Sequence, residues 1–150
     1  MASPFLLDTA VLLHWVRADA AAQEMERRFG LTLSELRPLV CEVSLGEMLA
    51  FSRSLKWGDK KVARLAKLQE HVVLVDISER RVLEEYANVS TLAKERGWAL
   101  FNGKNDLWIA AAAKATGAHL LTTDHDFKDL RSEPGWKVTL LDGTTGAPLA

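Results

Sequence analysis

The stretch from Asn102 to Phe127, NGKNDLWIAAAAKATGAHLLTTDHDF, constrains the fold most, because it sets three carboxylates around a helix and a strand that are otherwise largely apolar. Asn105 stands where a helix N-cap is expected, and Asp106 falls in the first turn, where the helix dipole favours negative charge. Leu107 to Thr116 is rich in alanine, a strong helix former, and Gly117 is a natural stop. So few polar residues imply a buried helix. His119-Leu120-Leu121-Thr122 then reads as a short strand, with Asp124 and Asp126 just past its carboxyl end. In open α/β sheets that is the edge at which ligands bind.

The rest of the chain alternates in the same way. Phe5-Leu6-Leu7 predicts a strand running into Asp8 and Thr9, after which Val11, Leu12, Trp15 and Val16 recur at helical spacing. Taken alone, Asp8 reads best as a helix N-cap. A helix is expected over Ala20 to Phe29, then a strand at Leu39-Val40-Cys41 and a helix from Val43 to Phe51. Glu47 lies in an apolar turn of that helix, where a carboxylate is normally paired or metal-bound. Ser44, three residues earlier, offers a capping box instead.

Asp59 to Glu70 predicts a basic amphipathic helix bearing Lys60, Lys61, Arg64 and Lys67. Such charges usually form a solvated face. With Arg53, Lys56 and Trp57 they are also the best candidate for a phosphate-tracking surface. Val72 to Val75, uninterrupted and β-branched, reads as a strand buried on both faces. Ser78 is placed to cap a long helix from Glu79 to about Gly97, and Val138 to Leu141 reads as a last, edge strand. This alternation predicts a parallel sheet in a single domain over residues 1–141, followed by a flexible tail at 142–150.

Composition narrows the function classes. A chain of 150 residues, 48% hydrophobic and 26% charged, fits one globular domain able to fold without disulfides. Cys41 is the only cysteine, which excludes an internal disulfide and suits a reducing cytosol. Met1 to Asp8 lack the basic and long apolar regions of an export signal, and no run approaches the ~18 apolar residues of a membrane span. A soluble, cytoplasmic protein without a membrane partner is expected. The net charge of −1 means that any nucleic-acid binding rests on a local patch or on bound cations.

Asp8, Glu47, Asp106 and one of Asp124 or Asp126 share one property: they follow apolar strands, open helices or sit in an apolar turn. In a parallel sheet such positions converge on one edge, where the acids would repel unless cations neutralised them. Oxygen-only ligation suits Mg²⁺ or Mn²⁺, not Zn²⁺. The matching chemistry is in-line phosphoryl displacement. His125, between two aspartates, reads first as an exposed loop histidine and otherwise as a group that supports the acids or shuttles a proton.

In LLDTAVLLHW, VSLGEML, KNDLWIAAAA and LLTTDHDF, in that order and spacing, the chain resembles the PIN-domain family, and within it the VapC-type toxin ribonucleases of toxin-antitoxin pairs. The resemblance spans nearly the whole sequence. It implies that Asp8, Glu47, Asp106 and Asp124 are catalytic metal-site acids, that Asp126 matches the acid before the phenylalanine, and that Asp124 is the closer ligand of the last two. Thr122 or Thr123 would supply a neighbouring hydroxyl; Thr9, Asn105, Arg53, Lys60 and Lys61 are weaker candidates for substrate contact. It further implies a three-layer α/β fold with parallel order 3-2-1-4-5, a Mg²⁺- or Mn²⁺-dependent endoribonuclease, a homodimer, and inhibition by a VapB-like antitoxin. Ala10 departs from the asparagine most relatives carry after Asp-Thr, which bears on substrate choice more than on metal binding.

Rival readings are a PIN-like nuclease acting on structured DNA or RNA precursors without an antitoxin, and a non-catalytic RNA- or protein-binding domain whose acids are all caps. A phosphoacceptor module would need paired acids early in the chain, where only Asp8 stands. A haloacid-dehalogenase-type phosphatase would need its Asp-x-Asp after the first strand, and here that spacing comes late, at Asp124 and Asp126.

Overall fold

A computed structural model of the chain describes residues 3–150, so Met1 and Ala2 lie outside it. In chain order the elements are β1 (Phe5–Leu7), α1 (Thr9–Arg17), α2 (Ala20–Phe29), β2 (Leu39–Cys41), α3 (Glu42–Ser54), α4 (Asp59–His71), β3 (Val73–Val75), α5 (Arg80–Arg96), α6 (Lys104–Thr116), β4 (His119–Thr122) and β5 (Lys137–Leu140). Two 3-10 turns, Ala99–Asn102 and His125–Ser132, precede α6 and follow β4. The strands form one sheet in the order β3-β2-β1-β4-β5, with every pairing parallel. The parallel α/β class is that expected from the alternation of elements, and the strand order is that implied by the resemblance to the PIN-domain family.

β1 and β2 are continuously apolar because both faces of the sheet are covered there. Successive side chains point to opposite faces. Leu6, Cys41 and Leu120 therefore enter one core, with residues of α5 and α6, while Leu7, Val40 and Leu121 enter the other, with residues of α1, α2 and α4. Leu6, Leu7, Leu120 and Leu121 are fully buried, and truncating any of them to alanine should cost about 2–5 kcal/mol. The alanine run of α6 is buried throughout, as its composition implies. Small side chains there let α6 lie close to both the sheet and α5.

Four local readings need correction. β3 is an edge strand, not one covered on both faces: Val73 and Leu74 are 45% and 44% exposed. Sequence shows that a strand is apolar, but not where it falls in the sheet order. The N-cap of α6 is Gly103, and Asn105 is an exposed residue already inside the helix. Glu79, not Ser78, caps α5, its carboxylate accepting from the amides of Arg81 and Val82, while Ser78 donates to Asp76 Oδ1.

The fourth is the carboxyl-terminal segment, which turns back instead of fraying. Asp142 Oδ1 accepts from the amides of Thr144 and Thr145, each at 2.8 Å. Gly146, at φ +78°, closes the turn, and the Leu149 amide returns to Leu140 O at 2.8 Å. Leu149 is then partly buried against the core.

Candidate metal centre

The topology carries the acids to one rim. β1 and β4 pair with Leu7 opposite Leu121, and the ladder runs one step further, the Asp8 amide donating to Leu121 O at 3.1 Å. The next side chains in register are Asp8 and Thr122. Both are buried, and Thr122 Oγ1 donates to Asp8 Oδ2 at 2.6 Å. Asp8 Oδ1 also accepts from the Thr9 amide at 2.8 Å, so Asp8 both caps α1 and anchors the rim. A short hydrogen-bond chain continues along the loop after β4: the Asp124 amide donates to Thr122 Oγ1, and the Asp126 amide donates to Asp124 Oδ1, both at 2.9 Å.

Asp106 arrives from the first turn of α6. It projects beside Asp124 and Asp126, and carboxylate oxygens of the three all lie within 4.8 Å of one another. Glu47 approaches from α3, the turn packed on α1. Thr9 Oγ1 lies 2.8 Å from Glu47 Oε1 and 2.9 Å from Ser44 Oγ, so one buried threonine fixes the carboxylate. Ser44 is thus part of the Glu47 support and not its capping partner.

Electrostatics shows that the five carboxylates share one environment. Burial raises the Asp8 carboxyl from its ordinary value to about 6; the Thr122 and Thr9 hydrogen bonds oppose that shift, and Asp124 and Glu47 add to it. Asp106 is pushed up to about 7, first by burial and then by the charges of Asp8, Asp124, Glu47 and Asp126. A set of hard oxygen donors that repel in this way is what a divalent cation relieves, and the residues fit Mg²⁺ or Mn²⁺. Capping accounts for Asp8 and Asp124 but not for Asp106 or Glu47.

Other predicted residues are placed elsewhere. Thr9 and Thr122 are buried with their hydroxyls engaged by carboxylates. Thr123 is half-buried in the loop after β4, and Asn105 is exposed. Arg53 and Lys60 are exposed at the α3–α4 junction, and Lys61 Nζ sits 4.2 Å from the centroid of Trp57. Gly103 was not anticipated as part of the site. A Cβ there would lie 2.6 Å from Asp106 Oδ2, so glycine leaves the room this carboxylate occupies.

The family model of the PIN domain matches residues 5–133. The chain belongs to the PIN-domain family. No curated protein matches this PIN domain in sequence. Its fold is similar to a chain of VapBC2 from Rickettsia felis bound to a promoter DNA fragment, at 18% identity and TM-score 0.73, covering 89% of this chain and 96% of that one. It is similar to a chain of VapBC-5 from Mycobacterium tuberculosis, a member of the VapBC family of toxin-antitoxin systems, at 21% identity and TM-score 0.68, covering 93% and 100%. A chain of VapBC-1 from nontypeable Haemophilus influenzae follows at 18% and 0.70, covering 91% and 96%. Among the described residues no helix is long and apolar enough to cross a membrane.

Proposed function

We propose that this PIN domain is a divalent-cation-dependent endoribonuclease and the toxin of a type II toxin-antitoxin pair. The observation that carries the reading is the cluster of Asp106, Asp124 and Asp126 carboxylates at the strand ends, with Asp8 and Glu47 electrostatically coupled to it. Asp8, Glu47, Asp106, Asp124 and Asp126 would hold the metal, Mg²⁺ or Mn²⁺. When bound, such ions supply a nucleophilic water of lowered pKa and neutralise charge on the scissile phosphate. The chain's own contribution is position. Thr122 keeps Asp8 ionised and aimed at the rim, Thr9 holds Glu47, and the Asp126 amide fixes Asp124.

The toxin role is supported by the similarity to chains of toxin-antitoxin assemblies, and it brings with it a VapB-like antitoxin partner and a homodimer. The direct test is incubation of the purified chain with labelled RNA in Mn²⁺, Mg²⁺ or EDTA, beside Asp106→Asn. Cleavage with metal alone, lost in the variant, is the expected result. Cleavage that persists in EDTA or in Asp106→Asn rules the metal site out. Inhibition by the product of an adjacent small gene would establish the antitoxin.

A further inference from the structure

The segment joining α5 to α6 interleaves cations with aromatic rings. Lys104 Nζ lies 4.6 Å from the centroid of Phe101, and the Arg96 guanidinium lies 5.4 Å from the centroid of Trp98. Both rings are only partly buried, and Lys104 and Arg96 are exposed. Lys104, the first residue of α6, stands two residues before Asp106, and the 3-10 turn of the segment packs against the turn that begins beside Asp124 and Asp126. The strip therefore adjoins the acid cluster.

Resting on the nuclease reading above, we propose that Phe101 and Lys104 form a subsite for single-stranded RNA next to the scissile phosphate. The Lys104 ammonium leaves the Phe101 ring to pair with the neighbouring phosphate, and an unpaired base stacks on the ring face it vacates. Arg96 on Trp98, held by Glu133, offers a second aromatic-cation pair further along the chain. Stacking of this kind accepts any base but needs it unstacked from a duplex, so the subsite selects single strands and loops over helices. It also places a local positive charge where the whole protein, at net −1, provides no attractive field.

The test uses the Asp106→Asn chain, which should bind without cutting, and a fluorescein-labelled single-stranded oligoribonucleotide followed by anisotropy in Mg²⁺. Phe101→Leu, which keeps apolar volume but removes the π face, is expected to weaken binding about tenfold, while Phe101→Tyr stays near the parent. Lys104→Gln should lower the slope of log K against log salt by about 0.7, the value of one phosphate contact on a single strand. A fully duplex probe should bind weakly and be indifferent to Phe101→Leu. Equal binding by Phe101→Leu and an unchanged slope in Lys104→Gln overturn the proposal. Lys104 is exposed, so its variant remains decisive if Phe101→Leu fails to fold. A wild-type chain that neither binds nor cuts RNA defeats the nuclease reading itself; one that cuts RNA while both variants match it defeats only the subsite.

Discussion

Thr122 Oγ1 donates a 2.6 Å hydrogen bond to Asp8 Oδ2, tying together residues 114 positions apart at the carboxyl ends of neighbouring parallel strands. The bond favours the ionised carboxylate in a site where burial favours the acid. Thr122→Val keeps the shape and removes the donor. It should raise the proton affinity of Asp8 further and weaken Mn²⁺ binding severalfold at pH 7, with part of the loss recovered at pH 8.5. The Asp124 amide also loses its acceptor, at a cost of about 1–3 kcal/mol. Calorimetric titration of Mn²⁺ at the two pH values checks this; equal affinity for both proteins would show that the hydroxyl plays no part in metal binding.

The raised carboxyls of Asp8 and Asp106, at about 6 and about 7, fix the sign of a stability change. Both lie above their ordinary values, so between about pH 4 and pH 7 the folded chain binds more protons than the unfolded one. Metal-free stability from these groups is therefore greatest toward pH 4–5 and declines as pH rises to about 7. Asp19, Asp76 and Asp142, whose pKa values are lowered, act in the opposite sense and lose their contribution as pH falls below about 4. Added Mn²⁺ should reverse the decline, its stabilisation growing across the same window. Thermal melts from pH 4 to 8, in EDTA and in Mn²⁺, read both limbs; parallel curves would contradict the assignment.

Asp106→Asn removes one repelling charge without removing core volume. In EDTA at pH 8 its melting temperature should exceed that of the parent by a few degrees, less a small helix-dipole contribution of about 0.3–1 kcal/mol. Near pH 5, where the native carboxyl is already protonated, the difference should shrink. The Mn²⁺-induced rise in melting temperature should vanish. A variant less stable than the parent at both pH values would mean that Asp106 is structural.

Gly103→Ala tests the space given to a single carboxylate. The backbone at φ −101° accepts alanine without strain, but the new methyl would sit 2.6 Å from Asp106 Oδ2. The carboxylate must swing away, so Mn²⁺ affinity and cleavage should fall at least tenfold while the metal-free melting temperature changes little. An unchanged affinity would show that Asp106 reaches the metal in another rotamer.

Glu47→Gln keeps an acceptor for Thr9 Oγ1 and removes only charge. Cleavage should be lost with the melting curve intact, and Glu47→Ala should additionally free Thr9. If Glu47→Gln cleaves RNA at the parental rate, Glu47 is not in the catalytic set.

The parallel sheet and the convergence of distant acids were legible because apolar runs of three or four residues, most of them followed closely by a carboxylate, leave few alternatives in a parallel sheet; the strand order came only with the resemblance to the PIN-domain family. What was not legible depended on three dimensions. Val72 to Val75 has the composition of a central strand, and only the strand order exposes Val73 and Leu74. Asn105 has the residue type of a cap, but Gly103 starts the helix two residues sooner. Thr9 and Thr122 were visible as hydroxyls near acids, yet their engagement inward with Glu47 and Asp8 follows from the β1–β4 register and from the seating of α3 on α1.

The five acids come from the ends of β1 and β4, from the middle of α3 and from the start of α6, so no short fragment of the chain holds all of them. A ribosome making this protein carries Asp8 for more than a hundred further residues before Asp124 emerges to meet it. Until then the growing polypeptide lacks the last two of the five carboxylates, and any product cut short before β4 never gains them.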